Sequence, residues 1–148
     1  MAEVHVSQEI AADQEETWRV FSDLNRFGDW LTIHDKFYGD PPTEIAVGTQ
    51  FTEQATIMGM SNKIEWTVEA FDAPSSLTIS GKGLAGAQIT FVLSLEATGA
   101  SACTAKIDAE FVGTMVVGAI GAAVERAAHK EVVASLDKLA GLLAGAAA

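Results

Sequence analysis

His34, Glu53 and Tyr38 are the residues of this chain whose types suit proton transfer. An imidazole, a carboxylate and a phenol within reach of one substrate form an acid–base set. His34 follows Trp30, Leu31 and Ile33, an apolar segment expected to lie over the mouth of a sheet. Glu53 shares the parity of Phe51, Ala55 and Ile57, which directs it to the apolar side of its strand. A charge there is costly unless it is paired or wetted by a cavity. In a cavity it would hold a ligand hydroxyl or act as a general base. A strand edge or a bulge that turns Glu53 outward is the alternative. Sequence spacing does not place Tyr38 and Asp35 against it.

Other constellations carry less. Gly81-Lys82-Gly83-Leu84-Ala85-Gly86 matches a dinucleotide fingerprint, but that motif needs a helix to begin at its third glycine. Here an alternating strand follows, so a glycine-rich hairpin is expected and no cofactor. Gly113 to Gly121 lacks the Gly-Lys-Ser/Thr ending of a phosphate loop. His5, His34 and His129 have no ligand spacing with one another, with a cysteine or with a carboxylate, so no metal site is expected. His129 follows Glu125 by four residues and is expected to pair with it on a solvated helix face. Cys103 is in register with Ala105 and Ile107, as a small buried hydrophobe would be.

The elements that must position these residues are read from periodicity. Val4, Val6, Gln8 and Ile10 alternate with polar neighbours as a first strand. Asp13 and Glu16 have capping-box spacing ahead of Trp18 and Phe21, so a helix is predicted from about Asp13 to Asp23. A second short helix, capped by Asn25, would carry Phe27, Trp30 and Leu31. Period 2 then runs to Phe111, with turns at Gly59-Met60-Ser61-Asn62, Pro74-Ser75-Ser76 and Thr98-Gly99-Ala100-Ser101. This is an antiparallel meander with one apolar face. From Val117 the spacing becomes helical through Ile120, Val124, Ala128, Val132, Leu136, Leu139 and Leu143. Ala144 to Ala148 are expected to fray.

The first half of that terminal helix is thin, being rich in Gly and Ala. A concave sheet beneath it is not filled by such residues, and a cavity is expected between them. Its predicted lining is Trp30, Ile33, His34, Phe51, Glu53, Ile57, Trp66, Val68, Ile79, Phe91, Leu93, Ile120 and Val124.

The 148 residues suit one domain over 1–148, and the lone cysteine fits a reducing compartment. A net charge of −11, with Lys and Arg scattered singly, disfavours nucleic acid and anionic membrane surfaces. The N-terminus lacks a basic region and an apolar core of a signal peptide, and no run of about 20 apolar residues exists. A cytoplasmic location is therefore expected, without membrane insertion.

Asp23-Leu24-Asn25-Arg26-Phe27-Gly28-Asp29-Trp30-Leu31-Thr32-Ile33-His34 resembles a segment of the START-like or SRPBCC superfamily. Gly59-Met60-Ser61-Asn62-Lys63-Ile64-Glu65-Trp66-Thr67 and Leu77-Thr78-Ile79-Ser80-Gly81-Lys82-Gly83 are similar to the same small actinobacterial branch, some of whose members are called type II toxin–antitoxin toxins. The resemblance covers essentially the whole chain. It implies an α+β helix-grip fold: a curved antiparallel sheet of about seven strands, two short helices and a long C-terminal helix. Three functions follow as expectations. One is a carrier or sensor of a small apolar ligand. Another is a cyclase or dehydratase using His34 and Glu53, aided by Tyr38. The third is action through an antitoxin or other protein partner; a homodimer is compatible with all three.

Overall fold

The computed structural model describes residues 2–83, 86–114 and 116–147. The first strand, β1 (Ala2–Ile10), buries Val4 and Ile10 on its inner face. Helix α1 (Gln14–Phe21) starts at Asp13, whose carboxylate accepts from the Glu16 backbone N–H at 2.7 Å. It satisfies one of the helix's free donors, as capping-box spacing requires. A 3₁₀ turn (Leu24–Arg26) follows, capped by Asp23 through the Asn25 N–H and not by Asn25 itself. It leads directly into α2 (Phe27–Trp30).

Six further strands complete the sheet: β2 (His34–Phe37), β3 (Gln50–Ile57), β4 (Met60–Asp72), β5 (Ser76–Gly83), β6 (Ala87–Gly99) and β7 (Ala102–Val112). All pairings are antiparallel, in the order β1-β7-β6-β5-β4-β3-β2. The β3–β4 turn is tighter than the sequence suggested. Ile57 pairs with Met60, and Met58 and Gly59 take φ of 57° and 75° between them. Such a two-residue hairpin needs positive φ at both centres, which glycine tolerates and Met58 must be held in. Bulges at Val68/Ala70 and Ala97/Gly99 bend the two longest strands and help to curl the sheet.

Helix α3 (Gly118–Ala147) packs along the concave side against β1 and α2. Its inward stripe is Val124, Ala128, Val132, Leu136, Leu139 and Leu143. The first turn departs from the expected stripe, since Val117 is 56% and Ile120 53% exposed. Gly121, three residues before Val124, takes the inward position instead, and Ile120 is rotated to solvent. Helical backbone continues through Ala147, where fraying was expected. Ala148, Leu84 and Ala85 lie outside the described residues, but Gly83 and Ala87 pair across the β5–β6 connection as a hairpin requires.

Candidate functional site

Register on β3 and β4 sets the centre of the site. Phe51 pairs with Trp66 and Glu53 with Ile64, so Glu53 and Trp66 point to the same concave face. Glu53 is 1% exposed. Trp66 Nε1–H donates to its Oε1 at 3.0 Å, and His34 Nδ1 lies 2.5 Å from its Oε2. The His34 side chain is 7% exposed. Its ring is held edge-on by Phe27 and packs against Phe37, with centroids 6.3 and 4.6 Å away. Each group on its own would be expensive to bury. Together, a carboxylate with two directed contacts replaces most of its lost hydration.

β2 brings His34 to this position, and a bulge between His34 and Lys36 is the decisive detail. Without it, His34, Lys36 and Tyr38 would share one face of the strand. With it, Phe37 joins His34 on the inside. Tyr38 turns outward, 44% exposed, where it donates to Gln54 Oε1 at 3.3 Å beneath the Lys36 and Lys63 ammonium groups. Tyr38 therefore does not belong to the acid–base set. Asp35 is also outside, accepting from Thr56 Oγ1 at 2.5 Å.

Two small apolar voids lie between the sheet and the helices. The outer one, of about 20 Å³, is walled by Ile33, Ile57 and Phe111 from the sheet side and Ala128, Glu131, Val132 and Ser135 of α3. The inner one, of about 10 Å³, is walled by Phe27, Trp30, Glu53, Trp66, Ile79 and Leu93. Leu31, Phe91 and Ile107 border both and form the partition between them. Each void is about the size that holds a single water. The cavity expected from the thin helix is therefore filled, mainly by rings: Trp66 packs at a tilt against Phe91 at 5.3 Å and Trp30 against Phe21 at 5.2 Å.

Of the expected lining, Trp30, Ile33, Glu53, Ile57, Trp66, Ile79, Phe91 and Leu93 do border a void. Phe51, Val68 and Val124 are buried but border neither, and Ile120 is on the surface. His34 borders neither void and stands behind Glu53. Sequence reasoning missed Leu31, Ile107 and the polar seam that joins α2 to α3. In that seam the Thr32 N–H donates to Ser135 Oγ at 3.0 Å, and Thr32 Oγ1 donates to Glu131 Oε2 at 2.6 Å. Ser135 Oγ in turn donates to the Glu131 carbonyl at 2.8 Å. A serine on the apolar stripe at helical spacing was the available signal.

The remaining candidates sit elsewhere. His5 pairs with Asp108 at 2.6 Å on the outer face of the sheet. Glu125 accepts from the edge-strand N–H of Glu3 at 3.0 Å rather than meeting His129. Cys103 is fully buried, donates to Thr17 Oγ1 at 3.3 Å, and has its thiol pKa raised by burial. An open groove of about 450 Å³ beside Arg19, Asp23 and Phe71 lies on the outer surface, away from Glu53. Among the described residues no three His, Cys, Asp or Glu side chains gather as a metal site, and no helix is long and apolar enough to cross a membrane.

Residues 1–144 match the family described as polyketide cyclase / dehydrase and lipid transport. The chain belongs to this family. An uncharacterised protein of Mycobacterium tuberculosis is 32% identical over 143 residues, 96% of this chain and 99% of the relative. A second Mycobacterium tuberculosis protein, named a toxin, is 28% identical over 145 residues, covering 98% of this chain and all of the relative. Among solved structures, a START superfamily protein from Mycobacterium smegmatis superposes with a TM-score of 0.77 at 16% identity, covering 98% and 99% of the two chains. The Zhui aromatase/cyclase from a Streptomyces species superposes with a TM-score of 0.75 at 15% identity, covering 95% and 92%. Likeness at this level shows the helix-grip fold that the family shares, not a common activity.

Proposed function

We propose that this member of the family binds a small apolar molecule between the sheet and α3, as a carrier or sensor. The observation that carries this reading is the Glu53 carboxylate, 1% exposed, at the wall of an apolar void. A core built only for stability gains nothing from a buried charge, and often does better with a hydrophobic isostere. A site that must orient one polar end of an apolar ligand needs such a group. Binding requires the Leu31–Phe91–Ile107 partition to move, which joins the two voids. The α2–α3 seam, where Thr32 bonds to Ser135 and Glu131, is the proposed point of opening. Affinity then comes from apolar burial, at about 25 cal/mol per Å² removed from water. Native mass spectrometry of the purified protein, with extraction of any retained compound, tests the reading. A bound apolar compound supports it. An apo mass, together with no response to added apolar probes, counts against it.

A cyclase or dehydratase activity at the same place is the second reading, favoured by the 2.5 Å contact of His34 with Glu53. Glu53, facing the void, would move the proton. His34 would fix the carboxylate's position, with its own Nδ1–H directed to it. Dehydration of a β-hydroxy carbonyl compound by the wild type, lost in Glu53→Gln, would support this. No turnover by the wild type would remove it.

A further inference from the structure

Trp30 is fully enclosed and borders the inner void, yet its Nε1–H has no hydrogen-bond acceptor among the described residues. The contrast with Trp66, whose Nε1–H is taken by Glu53, is direct. A buried donor without an acceptor is uncommon in native proteins and calls for a partner. The same void is bordered by Glu53, which accepts one bond from Trp66 and meets His34 with its other oxygen. Its two oxygens offer about four lone-pair sites, so acceptor capacity is left over.

Resting on the ligand-binding reading above, we propose that the inner void is a hydroxyl-recognition pocket. A neutral alcohol or phenol group of the ligand accepts from Trp30 Nε1–H and donates to Glu53. The ligand's apolar body extends past the Leu31–Phe91–Ile107 partition into the outer void. A hydroxyl is the small group that supplies both functions, one donor and two lone pairs. A ketone satisfies Trp30 but has nothing to donate to Glu53. An ammonium suits Glu53 but leaves Trp30 unpaired. A carboxylate or an ionised phosphate satisfies Trp30 but, being an acceptor only, has no proton to donate to Glu53. A void of about 10 Å³ accommodates one oxygen atom. Water, like a hydroxyl, can accept and donate at once, so the test separates a ligand's hydroxyl from water.

The test is titration of the ¹⁵N-labelled protein at neutral pH with p-cresol, toluene and p-toluate. The Trp30 indole cross-peak, identified by its loss in Trp30→Phe, is the reporter. p-Cresol is expected to bind about tenfold more tightly than toluene, because only the phenol pairs the buried donor. It should also shift the Trp30 indole proton downfield, and p-toluate should bind more weakly than toluene. In Trp30→Phe the cresol-to-toluene ratio should fall, because only the bond to Glu53 remains. Equal affinities for cresol and toluene in the wild type would mean that the void takes water only, and would overturn the proposal. So would a preference for p-toluate. Failure of all three compounds to bind would remove the ligand-binding reading itself, and this inference with it. The wild-type comparison stands whether or not the variant folds.

Discussion

Trp30 and Trp66 are both enclosed and both pack against neighbouring rings, but of the two, among the described residues, only the Trp66 indole has an acceptor. Replacing either by Phe removes the N–H and leaves a similar gap, so the difference between the variants combines the lost bond to Glu53 with the relief of the unpaired Trp30 donor. Trp66→Phe is expected to cost about 1–3 kcal/mol more stability than Trp30→Phe in urea unfolding, since it strands a charged acceptor. Equal losses would mean that Glu53 gains little from that donor. Cys103 gives a prediction in pH. Its raised pKa means the folded protein holds the thiol proton longer than the unfolded chain. That contribution to stability is full below the ordinary thiol range and is lost as the pH rises through the folded value. Native protein at pH 8 should therefore resist a thiol reagent that labels it rapidly in denaturant. Fast native labelling would show that the site opens. At this scale the parity of Glu53 and the packing of Cys103 were legible in sequence. The exit of Tyr38 was not, because one bulge in β2 resets every side chain after it.

The α2–α3 seam is the joint between elements where opening is proposed. Thr32 belongs to the short segment after α2, while Ser135 and Glu131 are one turn apart on α3. Four-residue α2 has too few turns to hold its own position, so these side-chain bonds and the Phe27 and Trp30 rings anchor it. Ser135→Ala leaves the Thr32 N–H without its acceptor. A stability loss of about 1 kcal/mol is expected, with faster amide exchange at Thr32 and faster uptake of an apolar probe. Unchanged uptake would place the opening elsewhere. Sequence spacing found α3 and its inward stripe but misjudged the first turn. Helical spacing put Ile120 inward, and the packing puts Gly121 there instead.

For the molecule as a whole, the sheet and helices leave voids of only about 20 and 10 Å³ between them. Ile107 is 2% exposed and borders both voids, so Ile107→Ala should join them. The cost is expected to be about 2–5 kcal/mol, with measurable binding of benzene-sized probes by calorimetry or NMR. A variant that loses stability and binds nothing would show that the walls collapse into the space.

The sequence by itself determined the order of elements, the antiparallel meander and the inward face of most strands, and its parity offered Glu53 an apolar-side position with an outward turn as the alternative. These are properties of period and parity, which each segment carries locally. It also carried the motifs that identify the family. Tertiary structure decided what meets what. His34 reaches Glu53 through pairing of β2 with β3 across a connection of a dozen residues and a bulge. Trp66 has its acceptor, and Trp30 lacks one, only because of how the rings settle when the helices close on the sheet. The size of the cavity belongs to the same level. Missing bulk on α3 suggested empty space, but close-packed interiors draw neighbouring rings into such space, and composition does not count them.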